Sequence, residues 1–334
     1  MPLNLWIEPL SFPSMSFPAL AWLLLGTIWG STWLFIKVGL DSGLPPLGFA
    51  GLRFVVASIP LVLWLVIRRA RLPRTWPEWR LMLVTGWLTF TVNYALVFWG
   101  ESHISSGLAA ILYTNFPVFG IVLAHFMLPE EPMTWRKTGG VALAVLGVVL
   151  IFWNQISVKG PLALAGSAAI VVASLGTAYA DIVVKRSGTH IDPVVLTAVQ
   201  MVGGWIPLVA LALIVDGNPL HYHWTARGAL SLFYLALLGS ALAFVLLYWL
   251  IQRMQVTRTM LIPLLSTLFA VALGIVVLGE AFSVRVVIGG LGVLGGLVMA
   301  AGGRAPPPRE WSGRGRRSGH RPLGSSASSP AGDG

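Results

Sequence analysis

Residues 22–67 read WLLLGTIWGSTWLFIKVGLDSGLPPLGFAGLRFVVASIPLVLWLVI. Two apolar runs are joined by a short stretch holding Asp41, Pro45 and Pro46. Each run is about 20 residues, the length a helix rising ~1.5 Å per residue needs to cross ~30 Å of hydrocarbon. The first carries a polar knot, Trp29-Gly30-Ser31-Thr32, and ends with Lys37, while the second carries Arg53. On helical rise, Arg53 lies roughly 10 Å below the outer end of its run. A soluble core helix is not this long and this apolar, and a simple anchor does not keep an arginine at that depth. Two membrane-crossing helices that line something polar account for both features.

The composition agrees. Of 334 residues, 56% are hydrophobic and 10% charged, against about a quarter charged in soluble proteins. Such a chain has too little polar surface to face water all round. A β-barrel would show alternating segments of ~10 residues, not continuous apolar runs. The net charge of +10 falls in loops and the tail, so membrane topology accounts for it and no nucleic-acid partner is expected. Cysteine is absent, which excludes disulfides and thiolate chemistry. The N-terminal segment carries Glu8 and no Lys or Arg, unlike a cleaved signal peptide, so the first apolar run is expected to stay in the protein.

The pattern predicts ten spans, near 18–39, 46–67, 81–99, 105–128, 137–156, 161–183, 191–215, 228–251, 256–278 and 284–303. With the N-terminus in the cytoplasm, 17 of the 22 cations fall on the cytoplasmic side; the positive-inside bias therefore predicts both termini in the cytoplasm. The Arg-, Pro-, Ser- and Gly-rich residues 304–334 are expected to be a disordered basic tail, and 1–17 a cytoplasmic lead-in.

The two halves of the chain look alike. Leu128-Pro129-Glu130 is followed by Gly139-Gly140, and Leu278-Gly279-Glu280 by Gly289-Gly290 at the same spacing, 150 residues on. Five spans per half is an odd number, so the second half enters the membrane from the opposite side. The expected architecture is all-α: two inverted five-helix repeats, 18–156 and 157–303, with a solute site between them near the bilayer midplane.

Trp29-Gly30-Ser31, Lys37, Pro46 and Arg53, then Ser106 to Leu112, Pro117 and Glu130, together resemble the EamA-type members of the drug/metabolite transporter superfamily. The resemblance covers about 18–302. The second half departs from it: Thr267 stands thirteen positions before Glu280, and the nearby proline is Pro263. The resemblance implies secondary transport or export of small metabolites or drugs by alternating access, at the cell inner membrane, with no cofactor. The partners it implies are a small-molecule substrate and the lipid bilayer.

At lipid depth a polar side chain must find a partner or a wet cavity. The candidate substrate-binding residues are Ser31, Arg53, Asn93, Tyr94, Tyr113, Asn115, Tyr179 and Gln200. Each has a plainer reading. Ser31 suits helix packing. Arg53 suits either an anionic group of a solute, such as an amino-acid carboxylate, or the carbonyls of a neighbouring helix. Asn115, next to Pro117, suits re-satisfying a helix break. Asp181 stands four residues before Lys185, the spacing of an ion pair; a proton-coupling role is the other reading. Tyr248 with Gln252, and Ser266 with Thr267, are further cavity candidates. Glu130 and Glu280 read as structural acids at the start of following helices. Gly292, Gly296 and Ala300 form a small-residue stripe for packing within the fold or at a homodimer interface. Catalytic and metal motifs are missing from the sequence, so no enzyme activity or metal is expected. Two other classes stay open: a membrane scaffold working through its basic tail, and a membrane-embedded enzyme on lipid-linked substrates.

Overall fold

The computed structural model describes residues 17–101, 103–104, 106–151, 153, 160–278 and 284–301. Glu280 and the tail lie outside the described residues. In chain order the helices are α1 (Phe17–Asp41), α2 (Pro46–Ile67), α3 (Trp76–Gly86), α4 (Asn93–Glu101), α5 (Ser106–Tyr113), α6 (Asn115–Met127) and α7 (Trp135–Ile151). There follow α8 (Gly160–Ser187), α9 (Pro193–Val215), α10 (Ala226–Ala236), α11 (Ala243–Arg253), α12 (Val256–Thr259), α13 (Ile262–Leu278) and α14 (Val284–Ala301). All regular structure among the described residues is helical.

Six helical stretches are long and apolar enough to cross a membrane: α1, α2, Trp76–Gly100, α8, α9 and Ala226–Arg253. Ile111–Met127, Val256–Ala270 and Val287–Ala300 are shorter apolar segments. Large apolar side chains cover the outside, with Ile214 82%, Val276 81% and Phe126 79% exposed. Threonines, serines, Asn93, Gln200 and Arg53 are buried instead. Apolar groups out and polar groups in is the arrangement that hydrocarbon as solvent selects.

Local signals explain the helix starts. Pro46 and Pro193 open α2 and α9, where a missing N–H costs nothing. The Asp192 carboxylate accepts from the Val194 and Val195 amides at 2.8 and 3.1 Å, and Thr225 accepts from the Gly228 amide at 3.0 Å, satisfying first-turn donors.

Three departures from regular helix recur at matched places. The run α3–α4 passes through a π-helical segment at Trp87–Val92, and α10–α11 through another at Leu237–Leu242, 150 residues later. The expected span 105–128 is broken at Thr114, three residues before Pro117. The expected span 256–278 is broken at Met260–Leu261, just before Pro263. The second break thus exists despite the shifted proline. Each proline lacks the N–H that a continuous helix needs. Local side chains take up carbonyls there: Asn115 Nδ2 donates to Leu112 O at 2.7 Å, and the Ser266 and Thr267 hydroxyls donate to Pro263 O at 2.8 and 3.0 Å.

Helix packing follows the same 150-residue offset. As α1 packs on α13, so α8 packs on α6; as α4 packs on α8, so α11 packs on α1; as α3 packs on α9, so α10 packs on α2. Helices α7 and α14 pack along their lengths. A Cβ at Gly147 would lie 2.5 Å from Gly289 O, and one at Gly140 would lie 2.6 Å from Gly296 O. The small-residue stripe of α14 is therefore used inside the fold, against α7.

Candidate functional site

Buried polar atoms gather where α4, α5, α8, α9, α11 and the first π segment meet. Asn93, 6% exposed, accepts a hydrogen bond from the Tyr113 hydroxyl at 3.1 Å. Thr177 and Asp181 of α8 are electrostatic neighbours of Tyr113, as is Tyr94. Across from them, fully buried Tyr248 on α11 interacts with Thr89, Gln200, Asp181 and Tyr94. Gln200 Nε2 donates to Thr85 Oγ1. Gly86 lets the backbones meet at this level, since a Cβ there would lie 2.6 Å from Gln200 Cα.

Four atoms of this cluster are buried without a hydrogen-bond partner: Thr89 Oγ1, Asp181 Oδ1, Gln200 Oε1 and Tyr248 Oη. They come from four different elements. An unmet buried polar group costs on the order of 1–3 kcal/mol, so four together mark a place where the fold gives up stability. A π segment leaves its backbone groups out of helical register, and such bulges gather at functional sites. The first one carries Thr89.

The expected site residues divide. Asn93, Tyr94, Tyr113 and Gln200 come together in the cluster. Arg53 is 3% exposed and its guanidinium is engaged. Nε donates to Ser240 Oγ at 2.6 Å and Nη2 to Gly239 O at 3.0 Å, both on the second π segment. Its guanidinium carbon stands 5.4 and 5.6 Å from the Phe54 and Tyr94 ring centres. The carbonyl-capping reading of Arg53 is the one these bonds match, and Tyr94 links it to the cluster edge. Ser31 pairs with the Tyr234 hydroxyl at 2.6 Å and donates to Ile28 O at 2.7 Å, joining α1 to α10. Asn115 is spent on the helix break. Tyr179 departs from expectation: its side chain is 43% exposed on the surface of α8.

Three other expectations need correction. Lys185 does not pair with Asp181; its ammonium donates to the Ile251 and Met254 carbonyls at 2.7 and 2.8 Å. Those are carbonyls orphaned at the end of α11, which draw a cation more strongly than the helical spacing does. Glu130 is exposed. The structural acid is Glu131, 1% exposed, whose carboxylate accepts from Val256 N at 2.6 Å, Thr257 N at 3.0 Å and Thr257 Oγ1 at 2.8 Å. It caps α12 in the other half of the chain, not the helix that follows it. Gln252 donates to Ile191 O at 2.7 Å and so serves a loop. Thr89, Thr177 and Asp181 were not among the expected binding residues. Threonines in apolar helices commonly bond their own carbonyls, and nothing in the local sequence announces a π segment.

Comparison with known proteins decides the family. The EamA-like transporter family model matches twice, over residues 16–153 and 164–302. The chain belongs to the EamA-like transporter family. It is 28% identical to the uncharacterized transporter YoaV of Bacillus subtilis over 81% of this chain and 92% of that one. It is 30% identical to YvbV, another uncharacterized transporter of that organism, over 72% and 78%. It is 27% identical to the uncharacterized inner membrane transporter YedA of Escherichia coli over 77% and 81%. A crystal structure 17% identical superposes with a TM-score of 0.73, covering 85% of this chain and 96% of its own; that likeness shows the fold. This EamA-like protein is thus a multi-pass membrane transporter, and each match to the family model carries one π segment and one broken helix.

Proposed function

We propose that the protein moves a small solute across the cell inner membrane by alternating access about the cluster of Asn93, Tyr94, Tyr113, Gln200 and Tyr248. The observation that carries this reading is the group of four unpartnered polar atoms buried in an apolar bundle. A solute supplying donors and acceptors there recovers what the empty cluster forgoes. The cluster draws Thr89, Asn93, Tyr94 and Tyr113 from the first family match and Asp181, Gln200 and Tyr248 from the second. That is where two inverted five-helix repeats, ten spans in all, would place a midplane site. The recurrence of π segments, breaks and packing pairs at one offset supports the repeats. The cation bias supports both termini in the cytoplasm, and the name of YedA supports the inner membrane. The aromatic and amide lining suits an amphipathic solute, an amino-acid-like one included. Rocking of the halves would release contacts on one side at a time. Glu131 to Thr257, Lys185 to Ile251 and Trp22 to Arg258 O (2.9 Å) stand toward the expected cytoplasmic side. The Gly48 amide to Asp216 (2.8 Å) stands toward the other.

Thermal stabilisation of the purified protein against amino acids, nucleosides, sugars, organic anions and organic cations tests this reading. A ligand at a hundred times its Kd adds ~2.7 kcal/mol to the folded state. A hit abolished by Asn93→Ala supports the site; a hit indifferent to Asn93→Ala, Tyr113→Phe and Gln200→Ala contradicts it.

A further inference from the structure

Asp181 is the acid of the cluster, and the packing leaves it without a cation. It is 2% exposed, its Oδ1 meets no donor, and Lys185, one turn away on α8, is committed to the end of α11. Two ionisable groups face it, Tyr113 from α5 and Tyr248 from α11. The other elements packed on α8 bring it no charge. On α3, Glu78 is held by His190 at 2.9 Å and Arg80 is exposed. His125 on α6 is exposed, α4 contributes Asn93 and Tyr94, and Arg258 of α12 adds no charge to the surroundings of Asp181.

An ionised carboxylate buried with no counter-charge costs several kcal/mol. Asp181 must therefore carry a proton or hold a positive group brought from outside. Beside it stand the rings of Tyr113 and Tyr248, and Tyr94 lies near both. Aromatic faces around an acid form a setting in which an organic cation is held by charge and by π attraction together. A metal ion would need more oxygen or nitrogen ligands than one carboxylate, and no cluster of metal-ligating side chains occurs among the described residues.

We infer that Asp181 binds a proton and the cationic group of a solute in alternation, so that the transporter exchanges organic monocations for protons. This rests on the reading of the cluster as the solute site. The exchange balances simply. The neutral carboxylic acid loses its proton to water as the cation arrives; the carboxylate and cation then form a neutral pair, and the proton returns when the cation leaves. The cluster so presents no net charge to the low-dielectric interior in either loaded form.

Benzyltrimethylammonium is a suitable probe, because its charge is permanent and it cannot itself carry a proton. Its binding to the detergent-solubilised full chain is followed by tryptophan fluorescence, with proton release read by an indicator dye in weak buffer. The expected result is release of up to one proton per cation bound. Where Asp181 is protonated, apparent affinity should rise by about tenfold per pH unit. Both effects vanish in Asp181→Asn and survive in Asp181→Glu. Binding without proton release, a flat pH dependence, release that persists in Asp181→Asn, or no binding at all would each overturn the inference. The assay involves no transport. A neutral or anionic solute stabilising the protein through Asn93 while the cation fails to bind would sink this inference and leave the transport reading standing.

Discussion

Replacing Glu131 with alanine should cost far more than replacing its neighbour Glu130, although the two acids are adjacent in sequence and both precede α7. The Glu131 carboxylate, 1% exposed, accepts from two amides and one hydroxyl at the start of α12. Hydrogen bonds to a charged group contribute about 1.5–3 kcal/mol each, so loss of all three with nothing in return sets a ceiling of about 9 kcal/mol. Water entering the space left by the side chain recovers part of this. The expected cost of Glu131→Ala is about 3–5 kcal/mol, the range for removing one partner from a buried charged contact. In Glu131→Gln one oxygen still accepts, but the amide NH2 confronts donors where the other oxygen stood; about 1–3 kcal/mol follows. Glu130 is exposed, and Glu130→Ala should stay within about 0.5 kcal/mol. Titrating folded protein with SDS in mixed micelles, followed by circular dichroism, measures all three. A Glu131→Ala midpoint no lower than that of Glu130→Ala would refute the reasoning, because the bonds between the halves would then contribute nothing.

Arg53→Met should destabilise the protein by about 2–4 kcal/mol, since Gly239 O is left buried without its donor; the same SDS titration reads it. Gly147→Ala places a Cβ 2.5 Å from Gly289 O and 2.8 Å from Val293 N, backbone atoms that yield only if α14 shifts, so a loss of about 1–3 kcal/mol is expected. Gly217→Ala meets nothing within 4 Å, but the residue sits at φ +85; conformation alone should cost about 1–2 kcal/mol. Removing residues 304–334 should leave solute flux in vesicles unchanged, whereas a protein acting through that basic segment would lose its function.

How much of this could be read beforehand depended on the range of the interactions involved. The two runs within 22–67 are governed by length and hydrophobicity, which are local, and α1 and α2 follow them closely. Arg53 was legible as a residue in need of acceptors. That the acceptors would be Ser240 and Gly239 was not, because they lie almost 190 positions away on a π segment. Glu130 looked like the structural acid because its spacing from Pro117 is kept, yet burial falls on Glu131, whose partners lie 125 and 126 residues on. Asp181 with Lys185 looked paired by helical spacing; the orphan carbonyls closing α11 outbid that local attraction. Asn93, Tyr94, Tyr113 and Gln200 could be picked out because amides and phenols are costly at lipid depth. Tyr179 satisfied the same rule and faces outward, since the rule says which side chains are unusual and not which way a helix is turned.

Solute flux into proteoliposomes tests the central claim most directly. The solute is the one that stabilises the protein best, and uptake is followed with no ion gradient, with a proton gradient and with a sodium gradient. A transport site in the cluster predicts saturable uptake by the wild-type protein. It also predicts loss of at least about tenfold in kcat/KM for Asn93→Ala and Gln200→Ala, the scale of one lost hydrogen bond in a desolvated site, and little change for Tyr179→Ala. Uptake that is unaltered by both cluster substitutions, or absent under all three conditions, would contradict it.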